Sequence, residues 1–393
     1  MTDVHVPPLP AGEGQKRPPA PLPLSVLTGF LGAGKTTLLN RLLKEPGLNN
    51  TAVIINEFGE VGLDHLLVER ADDGIIELST GCLCCTLRGD LVEALERLLR
   101  RLDNGRARIA RVMIETTGLA DPAPVLHTLM LHPYLLMRYR LDGIITTVDA
   151  VNGAATLDAH AEAVKQVAVA DRLVLTKTDL LARPTDVAAA MPARQMEELK
   201  ARLRALNPAA PLLDAAVGEA VPSRLLDCGL YDPKRKIPDV RRWLAAEAYA
   251  EPHDHHAAPH AGHDRNRHDA HIRAFSLTTP VAISASALDM FLDLVRSMHG
   301  PHLLRLKGVV KLAGEEDAPV VLHAVQHIMH PVARLERWPD ADRTTRLVFI
   351  VRDIEPSVVR DLFNAFLGGT AADRPDLAAI ADNPLVPFGG FDR

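Results

Sequence analysis

The segment from Gly29 to Thr36 contains the residue types of a loop that binds phosphate groups. Its sequence, Gly-Phe-Leu-Gly-Ala-Gly-Lys-Thr, fills every fixed position of the pattern G-x-x-x-x-G-K-[ST]. In such a loop the glycines let backbone N–H groups turn towards phosphate oxygens, Lys35 adds a cation near the β- and γ-phosphates, and the Thr36 hydroxyl binds Mg²⁺. The spacing predicts a site for a nucleoside triphosphate. The residues predicted to contact it here are Gly29, Gly32, Ala33, Gly34, Lys35, Thr36 and Thr37.

A carboxylate and a glycine follow a later apolar run. The run from Arg111 ends at Glu115, and Thr-Thr-Gly118 comes next. An acidic residue at such a strand end binds the hydration shell of Mg²⁺ or orients the attacking water, and the Gly118 N–H could sense a γ-phosphate. We predict catalytic roles for Lys35, Glu115 and Gly118, with Thr36 and Glu115 at the Mg²⁺. The alternative for Glu115 is a surface carboxylate at the end of a strand.

The tetrapeptide Thr176-Lys177-Thr178-Asp179 follows another apolar run. An aspartate there can accept hydrogen bonds from both N1–H and N2–H₂ of guanine, a pair that adenine does not offer, and the Lys177 stem can lie along the base. The motif therefore favours GTP over ATP. Thr176 stands where the motif usually has asparagine, which leaves the strictness of that selectivity open.

Three cysteines lie within the pentapeptide from Gly81 to Cys85. Thiols near a helix N-terminus have lowered pKa values and bind metals readily. Three thiolates leave one tetrahedral position exchangeable, which suits a metal that must be released. The predicted ligands of a transferred metal are Cys82, Cys84 and Cys85. Buried structural cysteines, or a structural zinc completed by Cys228 or a histidine, are the alternatives.

Two weaker signals accompany the cysteines. Glu57 or Asp64 could contact Mg²⁺ or the transferred metal, or could be an ordinary loop carboxylate. Residues 251–271 contain seven histidines, which could form weak sites for Zn²⁺, Ni²⁺ or Co²⁺ or could be incidental in a solvated linker.

Short apolar runs alternate with amphipathic helical stretches up to about residue 222, which predicts a doubly wound, mostly parallel α/β sheet of the P-loop NTPase type. Ligands bind such sheets at the carboxyl ends of the strands. The predicted strands are Leu24–Thr28, Ala52–Asn56, Gly74–Leu78, Arg111–Glu115, Gly143–Val148, Arg172–Leu175 and Pro211–Asp214.

A smaller α/β domain is predicted after the histidine-rich segment. Its strands are Ile272–Leu277, Gly308–Leu312, Pro319–Val325 and Thr345–Val351, and its helices are Leu288–Met298 and Pro356–Leu367. We expect a disordered Pro-rich tail (1–23), a P-loop GTPase domain (24–222), a linker (223–271), a C-terminal domain (272–370) and a final tail (371–393).

Composition excludes several classes of protein. The 393 residues carry a net charge of −6 without a dense basic block, so we expect no nucleic-acid partner. No apolar run is long enough to cross a bilayer, and clustered cysteines favour a reduced, cytoplasmic protein rather than a disulfide framework.

Together these motifs resemble the CobW-like family of metallochaperone GTPases. The matching segments are Gly29–Thr37, Asn56–Glu60, Gly81–Cys85, Glu115–Pro122 and Thr176–Asp179, and after the linker Arg305–Gly308, Val325-Gln326, Trp338 and Leu347–Ile350. The resemblance implies GTP hydrolysis, with Mg²⁺, coupled to delivery of a metal, commonly Zn²⁺, to a client metalloprotein.

Residue by residue, the resemblance implies that Lys35 and Thr36 bind the phosphates and Mg²⁺. It also implies that Glu115 binds Mg²⁺ or orients water, and that Lys177 and Asp179 recognise guanine. The three cysteines hold the metal; Co²⁺, Ni²⁺ or Fe²⁺ also suit the ligand types. The sequence is also compatible with a homo-oligomer. Two other functions compete: a P-loop NTPase or small-molecule kinase with a structural zinc, and a metal store or sensor tuned by nucleotide.

Overall fold

The computed structural model describes residues 19–58, 75–80, 86–181, 190–227, 271–326, 328–329 and 332–367. Within these ranges the chain forms two sheets, one on each side of the predicted linker. No described helix is long and apolar enough to cross a membrane.

The first sheet consists of parallel strands. They are β1 (Leu22–Gly29), β2 (Thr51–Phe58), β3 (Ile75–Thr80), β4 (Arg111–Glu115), β5 (Tyr139–Asp149), β6 (Arg172–Thr176) and β7 (Leu212–Asp214). Their order is β3-β2-β4-β1-β5-β6-β7, with every neighbouring pair parallel. Each predicted strand overlaps an observed one, and the predicted fold class is confirmed.

Helices cover both faces of this sheet. Leu24 and Val26 pack into the core on one face, whereas Leu27 packs on the other with Leu38 and Leu42. Because side chains alternate along a strand, apolar residues at successive positions bury both faces. The helices are α1 (Lys35–Leu43), α2 (Thr86–Asp103), α3 (Ala123–Leu131), α4 (Pro133–Arg138), α5 (Gly153–Ala159), α6 (Ala161–Val169), α7 (Thr178–Leu181), α8 (Ala190–Leu206) and α9 (Pro222–Leu225).

The second sheet is antiparallel. Its strands are β8 (Ile272–Thr279), β9 (Leu303–Val310), β10 (Val320–Val325), β11 (Ile328–Met329), β12 (Ala333–Arg334) and β13 (Thr345–Arg352). The order is β11-β10-β9-β13-β8, and β12 also pairs with β10. Two helices, α10 (Ala285–His299) and α11 (Pro356–Phe366), pack on one face through Phe291 and Phe363, which contact each other. The prediction of a smaller C-terminal domain that contains both strands and helices is confirmed.

The predicted bounds of β9 were wrong. The strand starts at Leu303 rather than Gly308 and ends at Val310 rather than Leu312. Arg305 and Lys307 interrupt the apolar pattern, yet both side chains are buried because they pair with Asp171 of the first domain. Hydrophobic periodicity does not detect a strand that contains a buried charge, when the residue that pairs with this charge is distant in sequence.

Candidate nucleotide and metal site

The phosphate-binding loop connects β1 to α1 in a shape that needs glycine. Gly29 has a φ of 145°, and a side chain there would begin 2.2 Å from the Thr147 Oγ1 atom. Gly34 has a φ of 83° and caps α1. The loop therefore curls at the N-terminus of a nine-residue helix, where backbone N–H groups and the helix dipole favour anions.

Lys35, Thr36 and Glu115 meet at this loop. Lys35 Nζ donates to the carbonyl oxygens of Gly29 and Phe30, at 3.1 and 3.2 Å. The Thr36 hydroxyl donates to Glu115 Oε1 at 2.7 Å. Glu115 is 5% exposed, so the alternative of a surface carboxylate is wrong. A hydroxyl and a carboxylate at this distance fit Mg²⁺, which prefers hard oxygen ligands.

The segment after Glu115 lies against the phosphate-binding loop. The Thr116 N–H donates to the Leu27 carbonyl at 3.0 Å, and its hydroxyl donates to Thr28 Oγ1 at 2.8 Å. A Cβ atom on Gly118 would come within 2.5 Å of the Leu31 nitrogen. Gly118 therefore reaches the phosphate side of the sheet only because it lacks a side chain.

Sequence reasoning missed Gln166, which holds the same segment from the other side. Its side-chain amide donates to the carbonyls of Gly118 (3.1 Å) and Ala120 (3.0 Å). Gln166 is 1% exposed. The available signal was one amide among the apolar residues of α6, and a single polar residue in a helix does not reveal its partners.

Thr176 performs a structural task at the guanine motif. Its hydroxyl donates to the Ala33 carbonyl at 2.8 Å, and its side chain lies 3.4 Å from where a Cβ of Gly34 would be. The threonine thus ties the end of β6 to the phosphate-binding loop. The replacement of asparagine by threonine at this position therefore concerns the hydrogen bond to Ala33. Asp179, the residue predicted to recognise the base, is three residues further along the chain.

Lys177 is fixed beside Asp149. Its backbone has a φ of 59°, and its Nζ donates to Asp149 Oδ2 at 2.8 Å. Burial alone would raise the pKa of Asp149, but hydrogen bonds from Lys177 and Asn152 and from the N–H of Val151 outweigh it and lower the pKa. The carboxylate stays charged and holds the lysine stem beside the cavity described next.

A cavity of about 270 Å³ opens between α1 and the end of β6. Lys177 and Asp179 lie on its wall together with Ala215, whose carbonyl accepts from Arg41 at 2.5 Å. The two residues predicted to recognise guanine therefore line one cavity adjoining the phosphate-binding loop. A second cavity, of about 260 Å³, is lined by Gly32 and Ala33 of that loop together with Asp149 and Gln166.

The cysteine motif lies outside the described residues, as do Asp64, Cys228 and the histidines at 253–268; of Glu57, only the backbone is described. A strand and a helix flank the motif: β3 ends at Thr80, two residues after the predicted end at Leu78, and α2 begins at Thr86. Glu57 pairs with Ser79 across β2 and β3. Within the described ranges, no group of three or more His, Cys, Asp or Glu residues is placed to hold a metal ion.

Comparison with known proteins decides the family. Residues 23–213 match the model of the CobW/HypB/UreG nucleotide-binding domain, and residues 272–367 match the cobalamin synthesis protein cobW C-terminal domain. The chain is 34% identical over 346 residues to the zinc chaperone YjiA of Escherichia coli K12, an alignment that covers 87% of this chain and 98% of YjiA. The chain belongs to the CobW family. It carries a P-loop GTPase domain whose cofactors are GTP and Mg²⁺.

Two further relatives extend the comparison. The zinc-regulated GTPase metalloprotein activator 1 of Schizosaccharomyces pombe is 38% identical over 168 residues, or 41% of this chain and 40% of that protein. The crystal structure of zinc-bound YjiA has a TM-score of 0.61 and 28% identity, covering 88% of this chain and 99% of that one. A zinc-bound triple mutant of YjiA, with one glutamate and two cysteines replaced by alanine, gives a TM-score of 0.62.

Proposed function

We propose that this CobW-family GTPase is a metallochaperone that binds Zn²⁺ through Cys82, Cys84 and Cys85 and transfers it to a client metalloprotein under the control of GTP. The relatives named zinc chaperone and zinc-regulated metalloprotein activator support the general role. Zinc binding by the three cysteines, transfer of the zinc to a client and control of that transfer by GTP are the parts that we add here.

The observation that carries the proposal is the order of strands at one edge of the sheet. Glu115 ends β4, β2 lies beside β4, and β3 lies beside β2. Glu115 pairs with Ile55, whereas Thr80 at the end of β3 pairs with Phe58, three residues further along β2. The cysteine motif starts directly after Thr80, so its start lies two strand spacings across and three residues beyond Glu115, roughly 14 Å away. Segments that change shape around the nucleotide at the ends of β4 and β2 would therefore be close enough to influence a metal bound after β3.

Hydrolysis would use the residues gathered at the phosphate-binding loop. Lys35 would exchange the Gly29 and Phe30 carbonyls for phosphate oxygens, and the Gly118 N–H would be available to a γ-phosphate oxygen. Glu115 and Thr36 hold Mg²⁺, which supplies positive charge for the phosphates, or Glu115 orients the attacking water. These roles are assigned by position and chemistry.

The three thiolates are suited to a metal that is held and then released. The motif precedes an 18-residue helix, α2, whose N-terminus stabilises thiolate anions. Three protein ligands leave the fourth position of zinc for a client's ligand. GTP would order the segments near Glu57 and Gly118 around this site, and hydrolysis would relax them; a tenfold change in zinc affinity needs about 1.4 kcal/mol of difference between the two states.

The proposal also covers the remaining assignments. We place the GTPase function in residues 24–222 and client recognition in residues 272–370, joined by the linker at 223–271. Thiols that must stay reduced suit the cytoplasm.

Zinc content per chain tests the ligand assignment. Wild type, a Cys82/Cys84/Cys85 triple-alanine variant and Cys228→Ala would be dialysed against a zinc chelator and measured by mass spectrometry. We expect the triple variant to lose about one zinc ion and Cys228→Ala to lose none. A competing chelator is needed because the YjiA variant that lacks two cysteines is still described as zinc-bound.

Two outcomes contradict the proposal. Equal loss in Cys228→Ala would favour a closed, structural zinc site with four protein ligands. Equal zinc in all three proteins would remove the cysteines from metal binding, and the chain would remain a P-loop GTPase of another purpose.

A further inference from the structure

Among the described residues, two polar contacts of different kinds join the two domains. The first, which we call the anchor cluster, consists of Asp171, Arg305 and Lys307. Asp171 Oδ1 accepts from Arg305 and, at 3.0 Å, from Lys307, and Arg305 also donates to the Val169 carbonyl. The Asp171, Arg305 and Lys307 side chains are between 1% and 7% exposed, so water does not compete for them.

The second contact, which we call the relay pair, consists of Asp121 and Gln326. The Gln326 side-chain amide donates to Asp121 Oδ2 at 2.8 Å. The other oxygen, Asp121 Oδ1, accepts from the Ala123 N–H at the start of α3, at 3.0 Å. One aspartate therefore joins the C-terminal domain to the segment that begins at Glu115.

That segment is held at several points. Gly118 is packed against Leu31 of the phosphate-binding loop, and Gln166 holds the carbonyls of Gly118 and Ala120. Asp121 follows directly. Because Gln166 ties Gly118 and Ala120 to each other and Asp121 is the next residue, a displacement of Gly118 would be transmitted to the relay pair.

Gln326 is itself held in an uncommon conformation. Its φ is 52°, in the left-handed region that non-glycine residues seldom occupy, and its N–H donates to the Leu304 carbonyl at 3.1 Å. Such a conformation persists where the surroundings impose it and is frequent at functional sites. Here it occurs at the residue whose side chain crosses to the other domain.

We propose that Gln326 is a positioning residue for GTP hydrolysis: through Asp121 it fixes the segment from Glu115 to Asp121 in the geometry that the reaction needs. The anchor cluster holds the two domains together in every nucleotide state, and the relay pair couples the C-terminal domain to the γ-phosphate side. This inference rests on the roles proposed above for Glu115 and Gly118.

Steady-state hydrolysis by full-length variants tests the inference. Gln326→Leu removes the donor, and we expect kcat to fall about tenfold while KM for GTP changes less than about threefold, because the lost bond is charge-assisted and acts on the reacting geometry. The ratio of affinities for a GTP analogue and GDP should fall as well. Gln326→Lys restores a donor and should recover most of kcat.

Gln326→Asn is the matched control for the backbone. Asparagine accepts a positive φ more readily than most residues, but its amide is one methylene too short for Asp121. Impaired hydrolysis in both the Asn and Leu variants, with unchanged thermal midpoints, supports the relay pair. Wild-type kcat in the Leu variant, or in the Asn variant alone, would overturn it. Glu115→Gln measured in parallel separates failures, since normal hydrolysis there would instead refute the proposed site.

Discussion

The nucleotide site and the anchor cluster both collect charged side chains in poorly solvated places, but they pair them differently. Lys35 donates to carbonyls of its own loop and Thr36 to Glu115, partners that phosphate oxygens and Mg²⁺ can replace. In the anchor cluster Asp171 is shared by two cations that are buried with it at the domain interface. Exchangeable pairs serve function, and enclosed pairs fix the arrangement of domains.

The largest effect on stability should come from the anchor cluster. Asp171→Ala leaves Arg305 and Lys307 buried without a carboxylate, and we expect the free energy of unfolding to fall by about 3–5 kcal/mol. Urea unfolding measures it. Asp293→Ala, which breaks the exposed pair with Arg296, is the control and should change stability by less than about 0.5 kcal/mol. Equal effects of the two variants would contradict the role of the anchor cluster.

The mirror-image prediction concerns Glu115. Glu115→Gln keeps the size of the side chain but removes its charge, so we expect hydrolysis to slow by about a hundredfold or more, as when other charge-stabilising groups are removed. Unfolding free energy should stay within about 1 kcal/mol of wild type, because the amide can still accept from the Thr36 hydroxyl. Single-turnover assays and thermal unfolding on the same preparation check both halves. A Glu115→Gln variant that is less stable but hydrolyses GTP at the wild-type rate would mean that Glu115 serves stability rather than hydrolysis.

A smaller effect is expected from pH. Burial, and then repulsion by Arg305, lowers the pKa of Lys307 from 10.5 to about 8, against the attraction of Asp171. The unfolded chain therefore binds more protons than the folded one between these values, so stability rises as the pH increases above about 8.

Lys307→Met should abolish this rise. Comparison of the two proteins by urea unfolding from about pH 8 to pH 10 should give a difference in slope that amounts to about 2 kcal/mol over the range. Parallel curves would mean that Lys307 has an ordinary pKa.

Much of the nucleotide domain could be predicted from sequence because its signals are local. Runs such as Val26-Leu27 and Val112–Ile114 mark strands buried on both faces, and the loop from Gly29 to Thr36 carries its geometry in its glycines. The order of the strands, which places β3 two strands away from β4, was not predicted and comes from the structure.

The contacts between distant residues could not be predicted. Gln166 belongs to no motif, and the family resemblance includes Gln326 without indicating what it contacts. Ala120, which accepts from Gln166, and Asp121, which accepts from Gln326, lie 46 and 205 residues away along the chain. Arg305 and Lys307 even concealed the start of their own strand, since burial of a charge depends on a partner that periodicity cannot reveal. Local rules find elements and loops; only packing reveals the pairs that couple them.

The most direct test of the central claim is transfer of zinc. Protein loaded with one zinc ion would be mixed with a chromogenic chelator, and the rate of zinc release followed with GDP, with GTP and with a GTP analogue that resists hydrolysis. If GTP controls the metal site, the rate of zinc release differs at least about tenfold between GDP and the analogue. With GTP, the release rate changes from that of the analogue to that of GDP as GTP is hydrolysed. Glu115→Gln with GTP keeps the release rate of the analogue. Release at one rate in every nucleotide state would contradict a metallochaperone controlled by GTP.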